Sequence, residues 1–206
     1  MEFKHFIPHV NRPDLTNKAV GACIGTVAEG RVAILDNSPT MEIASQYHIW
    51  QAEVYVPTVP LTTAQTMNWM RLMAIEDGLD VFGFQHNDGE PAEGTIDRLY
   101  ELARTLTEPW GVIFSNYDVC CVFNTKAVKE TGEWDWLRFP FYHLDNDYYH
   151  RLRLAGYPTI RTGLKCHHHN DASSTIKSDP ERHLVNQVYF PGSAQLLKLK
   201  WGDACV

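Results

Sequence analysis

No run of apolar residues in this 206-residue chain approaches the roughly 20 that a membrane-crossing helix needs. The opening MEFKHFIPHVNRPD also lacks the long apolar core of a secretory signal. Cysteine is scarce and poorly placed for bridging: the five lie at 23, 120, 121, 166 and 205, an odd number with no C-x-x-C pair. A disulfide scaffold is therefore not expected, and a reducing, cytoplasmic compartment is. There is no G-x-G-x-x-G fingerprint, no Walker loop and no G-x-S-x-G elbow, so dinucleotide, P-loop and serine-nucleophile readings have no anchor. An excess of positive charge is missing too. Lys and Arg number 18 against 25 Asp and Glu, a formal net charge of −7, which disfavours a protein held to nucleic acid mainly by phosphate contacts. Internal repeats and low-complexity tracts are absent.

What is present is an ordinary globular balance, 44% apolar and 21% charged, enough for one full core. Strand-like and helix-like segments alternate. His5 to Ile7 is a short apolar run stopped by Pro8, and Arg31 to Leu35 reads as a buried strand ended by DNSPT. Ile49 to Val56 looks extended. Leu61 to Asp77 reads as a helix, with Met67, Met70, Met73 and Ala74 on one face and Gly78 as the stop. Val81 to Phe84 is a strand, Glu93 to Thr105 a helix, and Trp110 to Phe114 and Val119 to Phe123 two more strands. Asn124 is placed to cap a short helix ending at Gly132. Asp145 to Ala155 is helical with Tyr148, Leu152 and Ala155 inward; Thr159 to Arg161 and Leu164 to His168 are late strands. A final helix opens at Asp179-Pro180 and is expected to break at Pro191-Gly192. This alternation predicts a single α/β domain with a mostly parallel central sheet flanked by helices. Ligands of such sheets bind beyond the carboxyl ends of the strands, which singles out DNSPT and HNDGE.

Four segments carry residues with chemistry. HNDGE gathers His86, Asn87, Asp88 and Glu90 at a strand end, a set fit for Mn²⁺ or Mg²⁺, although on local sequence alone a plain polar turn is the favoured account. In CHHHND, an extended backbone puts His167 and His169 on one face and His168 on the other. Two imidazoles on one face make a partial metal site; a solvated or core-satisfied histidine run accounts for the segment equally well. Asp145 and Asp147 open a helix, where carboxylates complement the dipole and where one of them is also placed to serve as a general base. Trp134, Trp136, Phe139, Phe141 and Tyr142 just before them suit either a core or a stacking platform.

Taken in order, these segments resemble the GT-A type nucleotide-sugar glycosyltransferases, and most closely the short, single-domain members of their large, mostly inverting family. The resemblance rests on IPHVNRPDLTNKAV, RVAILDNSPT, the Asn68 helix leading into VFGFQHNDGEP, TGEWDWLRFPFYHLDNDYYHRLRLAGYP, and HHHNDASST, from about Phe6 to Thr175. The family's Asp-x-Asp reads His86-Asn87-Asp88 here, and its paired acids read Leu144-Asp145, six residues before Arg151. The resemblance implies a GT-A fold and transfer of a hexosyl or pentosyl group from a nucleotide-sugar, commonly a UDP-sugar, with a divalent cation. It implies Pro8, Asn11, Arg12, Asp36, Asn68 and Asn87 around the donor, and Asp88 and His169 as metal ligands, joined by His167 and His86. Asp145 would be the base, with Asp147 the second candidate. Trp134, Trp136 and Tyr142 would line the acceptor, and Ser174 and Thr175 would touch the diphosphate. A nucleotide-binding half over about 1–92, an acceptor half over about 93–178 and a helical tail over about 179–206, carrying no motif, would make up the domain.

The implied acceptor is a glycan or another hydroxyl compound, including the hydroxymethylated DNA bases that similar short transferases modify in phage; the charge of −7 weighs against DNA. Two other classes fit the same residues. One is a non-catalytic nucleotide-sugar-binding module, suggested by His86 in a carboxylate position. The other is a metallohydrolase built on the histidine run.

Overall fold

The computed structural model describes residues 1–38, 52–169 and 180–205, apart from the side chains of 182, 204 and 205. Its centre is a seven-stranded sheet in the order β3-β2-β1-β4-β7-β6-β8. The strands are β1 (Phe3–His9), β2 (Val32–Asp36), β3 (Glu53–Tyr55), β4 (Val81–Gln85), β6 (Val112–Phe114), β7 (Cys120–Asn124) and β8 (Thr159–Arg161). All run parallel except β7, which is antiparallel to both neighbours. A separate two-stranded ribbon pairs β5 (Gly89–Pro91) with β9 (Cys166–His168). The expected α/β layer with a mostly parallel sheet is what the chain forms.

Helices cover both faces, which is why the strands read as unbroken apolar runs. One face packs Ile7, Ile34, Ile113 and Val122 against α1 (Pro13–Gly21) and α3 (Thr95–Thr105). The other packs Phe6, Phe82, Phe123 and Val112 against α2 (Thr63–Glu76), α4 (Thr125–Thr131) and α5 (Leu144–Leu154). The methionine face of α2 is buried as its spacing predicts, and the helix starts on a capping box between Thr62 and Gln65. Asn124 caps α4 by accepting from the backbone of Lys126 and Ala127.

Four local expectations are corrected. Pro8 does not stop β1. The odd-numbered residues make the bonds to β2, as in His5 N to Arg31 O and Asn37 N to His9 O. Pro8 therefore turns its missing N–H toward β4, whose ladder with β1 has already ended at Phe84. Pro191 does not break the last helix: α6 (Pro180–Trp201) runs through it, because ring contacts of Phe190 with Tyr142 and His143 and the burial of Leu197 hold both sides. Ala155 is exposed, and Leu144 and Asp147 join Tyr148 and Leu152 on the buried side of α5. The strand at Gly89–Pro91, three residues long, carried no periodicity to reveal it.

Candidate active site at the carboxyl edge of the sheet

β1, β2, β4 and β6 all end on one edge, and β7 begins there, so the loops after His9, Asp36, Gln85 and Phe114 meet at that edge. A buried polar chain sets the loop after β4. His5 Nδ1 lies 3.0 Å from Tyr100 Oη, and His5 Nε2 lies 3.0 Å from Gln85 Oε1. Gln85 Nε2 then donates to the carbonyls of Ala19 (3.2 Å) and Gly89 (2.9 Å). Gln85 thereby pins both ends of the turn His86-Asn87-Asp88-Gly89. Burial depresses the His5 pKa to about 4, although Gln85 opposes this, so the ring is neutral at pH 7.

The turn and the ribbon together bring three side chains to a spacing that could hold a metal ion. One ligand atom each of His86, Asp88 and His168 lies within 4.8 Å of the others. His168 Nε2 is 3.1 Å from Asp88 Oδ1, and His86 Nδ1 is 3.7 Å from the same oxygen. The His86 and His168 rings stand 5.3 Å apart, nearly perpendicular. Burial alone would raise the Asp88 pKa, but the two imidazoles hold it well below the usual carboxylate range. Burial likewise opposes a charge on His86, yet Asp88, with Asp118 and Asp145 behind it, keeps its pKa above the ordinary value. Two imidazoles and a carboxylate at this spacing fit a divalent transition ion. Arg12, at the start of α1, pairs with Asp14 at 2.8 Å, and Asp88 contributes to raising its pKa.

The ribbon decides which histidines take part. His168 is paired with Gly89, and His169 N donates to Asp88 O, so His168 faces the cluster. His167 and His169 do share a face, as alternation requires, but it is the opposite one. Their rings lie 5.1 Å apart, and His169 Nε2 lies 2.9 Å from the Glu90 carboxylate, at ion-pair distance. The structure brings His86, Asp88 and His168 together and sets His167 and His169 on the other face of the ribbon.

Asp145 lies in the first turn of α5. Burial, and then the neighbouring Asp118 carboxyl, push its pKa up to about 6, more than the helix start lowers it. Asp118 sits in the loop between β6 and β7 and accepts a hydrogen bond from Tyr149 Oη at 3.4 Å. At the ends of β1 and β2, two buried groups each keep one unpartnered polar atom, His9 Nε2 and Asp36 Oδ2. His9 Nδ1 is 2.6 Å from Thr16 Oγ1, and Asp36 Oδ1 accepts from the amide and hydroxyl of Ser38. Burial lowers the His9 pKa to about 4 against the opposing charge of Asp36.

Other expected site residues are committed elsewhere. Asn68 spends both ends of its amide on the backbone of Trp134, at 2.7 and 3.0 Å. Trp134 is only 1% exposed and stacks on Tyr148 at 3.5 Å, so it belongs to the core. Asp147 is buried and held by Arg151 (3.0 Å), Lys200 (2.8 Å) and the Trp201 indole (2.8 Å). Pro8 is the penultimate residue of β1, Asn11 has φ +49° in the loop that follows, and Asn87 is buried within the turn. Tyr142 packs edge-on against Phe190. Trp136 is 42% exposed and lines a groove of about 500 Å³ with Trp69, Gln65 and Glu133. Ser174 and Thr175 lie outside the described residues.

Sequence reasoning missed His168, because alternation leaves open which face meets Asp88. It also missed Asp118, a lone acid in a polar loop, and His9, whose only signal was its place at a strand end.

Neither a scan of protein-family models nor a search of curated proteins finds a match to this sequence. Solved structures do match in fold. S. aureus TarS superposes with a TM-score of 0.63 at 10% identity, over 80% of this chain and 36% of TarS. Glucosyl-3-phosphoglycerate synthase from Mycobacterium tuberculosis, solved with Mn²⁺, UDP and glucosyl-3-phosphoglycerate, gives 0.63 at 14% identity, over 95% of this chain and 77% of that one. The chain has the GT-A fold. It spans little more than a third of TarS. A cytidylyltransferase from Leptospira borgpetersenii shares the architecture as well, with a TM-score of 0.59 at 8% identity over 97% and 95% of the two chains. The fold alone names no reaction, so the side chains at the carboxyl edge of the sheet must argue it.

Proposed function

We propose that this protein is a glycosyltransferase that moves a hexosyl or pentosyl group from a nucleotide-sugar, a UDP-sugar first among them, to an acceptor hydroxyl. The observation that carries the reading is the meeting of His86, Asp88 and His168 at the carboxyl edge of the sheet, with Asp145 charge-coupled to His86. A divalent ion held by those three would neutralise the charge that develops on a departing nucleoside diphosphate. Two nitrogens and one carboxylate favour Mn²⁺ over Mg²⁺, which prefers an all-oxygen shell.

The chain's own residues supply the rest. Arg12 adds fixed positive charge beside Asp88. His9 Nε2 and Asp36 Oδ2 are buried without a partner at the ends of β1 and β2, an unmet hydrogen-bonding capacity that a nucleobase entering beside them would satisfy. Asp145 takes the proton of the acceptor hydroxyl; a pKa of about 6 leaves it mostly ionised at pH 7 yet more basic than an ordinary aspartate. Trp136 and Trp69 offer aromatic faces to an acceptor sugar along α2.

The test is calorimetric binding of nucleoside diphosphates with and without Mn²⁺. One diphosphate should bind only with the metal, and Asp88→Ala should abolish that dependence. Absence of binding by every diphosphate under both conditions rejects the reading.

A further inference from the structure

The outer face of the β5–β9 ribbon carries a second set of ligand-type side chains that the transfer reading does not use. Glu90 of β5 stands directly opposite His167 of β9 in the antiparallel ladder. His169 follows two residues on, and its N–H still donates to Asp88 O, so the extended pairing reaches it. The three side chains therefore leave one face of the ribbon. His169 Nε2 lies 2.9 Å from Glu90 Oε2, and the His167 and His169 rings stand 5.1 Å apart, nearly perpendicular. His168, between them, faces Asp88 on the other side. Two clusters of the same make-up, each of two imidazoles and one carboxylate, thus back onto one another across a single ribbon.

These spacings match those of ligands that share one ion. With metal–nitrogen bonds of about 2 Å, two imidazoles on a tetrahedral ion hold their ring centres about 5 Å apart and neighbouring ligand atoms about 3.3 Å apart. Nitrogen-rich sets of this kind suit Zn²⁺ better than Mg²⁺ or Ca²⁺, which take oxygen shells. The ribbon also gains from such an ion. Its two strands are three residues each, and a two-stranded pair that short is marginal by itself. An ion bonded to Glu90 on one strand and to His167 and His169 on the other would cross the ladder and tie the strands together.

We propose that His167, His169 and Glu90 form a second metal site, for Zn²⁺ or an ion of its class, that clips β5 to β9. Ligand atoms of the inner trio already lie within 4.8 Å of one another. The outer trio closes by rotation of the His167 ring, which is exposed and so has room to turn. Glu90 is half-exposed, which leaves the fourth position of the ion to water. The site stands independently of the transfer reading, because none of its three residues belongs to the inner cluster.

Zinc calorimetry on the metal-free full chain, with melting curves alongside, tests the proposal in the Asp88→Ala background, which disables the inner cluster. One Zn²⁺ per chain should still bind, and at about a hundredfold excess over Kd it should raise the melting temperature by about 5 °C. Adding His167→Ala should abolish both effects. Adding Glu90→Gln instead keeps the shape and removes the charge; zinc affinity should fall at least about tenfold, the smallest loss expected even for a group behind a ligand. Glu90→Gln also serves if the His167→Ala chain does not fold. No zinc uptake in Asp88→Ala overturns the proposal. Uptake that survives His167→Ala puts the ion elsewhere and overturns it as well. Uptake indifferent to Glu90→Gln would mean that the histidine run alone holds the ion without bridging the strands, and that too overturns it.

Discussion

His168 and His169 are adjacent in the chain and point to opposite faces of a two-stranded ribbon, so they make opposite predictions. His168→Ala removes a side chain 3.1 Å from Asp88 and should weaken Mn²⁺-dependent diphosphate binding about tenfold or more. His169→Ala removes a partner of Glu90 on the outer face and should leave that binding unchanged. Calorimetry on the two variants separates the faces directly, and equal losses would mean the ribbon register is wrong. Gly83 is a second residue with a sharp prediction. A Cβ there would come within 2.2 Å of both His5 Nδ1 and Tyr100 Oη, the buried polar chain that leads through Gln85 to the metal turn. Gly83→Ala should therefore destabilise the protein by about 3 kcal/mol, from overpacking plus a broken buried hydrogen bond, read by urea unfolding. A change below about 1 kcal/mol would show that the chain can step aside.

At the scale of elements, the last helix matters more than its lack of motifs suggests. Its end brings Lys200 to Asp135 and Asp147, at 3.0 and 2.8 Å, and Trp201 to Asp147. Leu197 enters the core beside them. Removing the chain after Pro191 leaves the buried Asp147 with Arg151 alone and opens a hole at Leu197. The expected loss is about 3–5 kcal/mol of stability, measured by thermal or urea unfolding. Since Asp147 shares the first turn of α5 with Asp145, the truncation should loosen Asp145 along with the fold. A truncated protein as stable as the full chain would show that the helix merely rests on the domain.

The whole molecule has a pH dependence set by its buried titratable groups. His5 and His9 have folded pKa values near 4, below the 6.5 of an unfolded histidine, so the unfolded chain binds the extra protons as pH falls from about 6.5 to 4. Each then costs stability in that window. Asp145, raised to about 6, works the other way: the folded protein takes up its proton first, which favours the fold between about pH 6 and 4. His143, also lowered by burial, adds a third loss, and three losses against one gain leave the unfolded state binding more protons, so stability should fall on acidification. Melting temperature should drop from pH 6.5 to 4.5, and should drop more steeply in Asp145→Asn, which lacks the opposing group. A flat profile would mean that His5 and His9 are protonated in the folded state.

Much of this architecture was legible along the chain because it depends on local pattern. Apolar runs at 31–35, 81–84 and 119–123 are strands wherever they are placed, and the Met67, Met70 and Ala74 stripe demands a buried helical face. The order of these elements dictated a mostly parallel sheet, and with it the edge where HNDGE and Asp36 would stand. Position along the chain also marked Asp88 and Asp145, each polar at a strand or helix end. What local pattern could not supply was contact between distant segments. Alternation divides His167 and His169 from His168, but only the pairing of Gly89 with His168 says which face looks at Asp88. Asn68 and Trp134, 66 residues apart, are a backbone clamp in the core because α2 happens to face that loop. Asp118 became Asp145's neighbour only when the antiparallel β7 carried its loop to the same edge. The chain itself determined the elements and their order, through periodicity; the tertiary structure decided which side chains meet, because register and the facing of distant elements depend on the packing of the whole core.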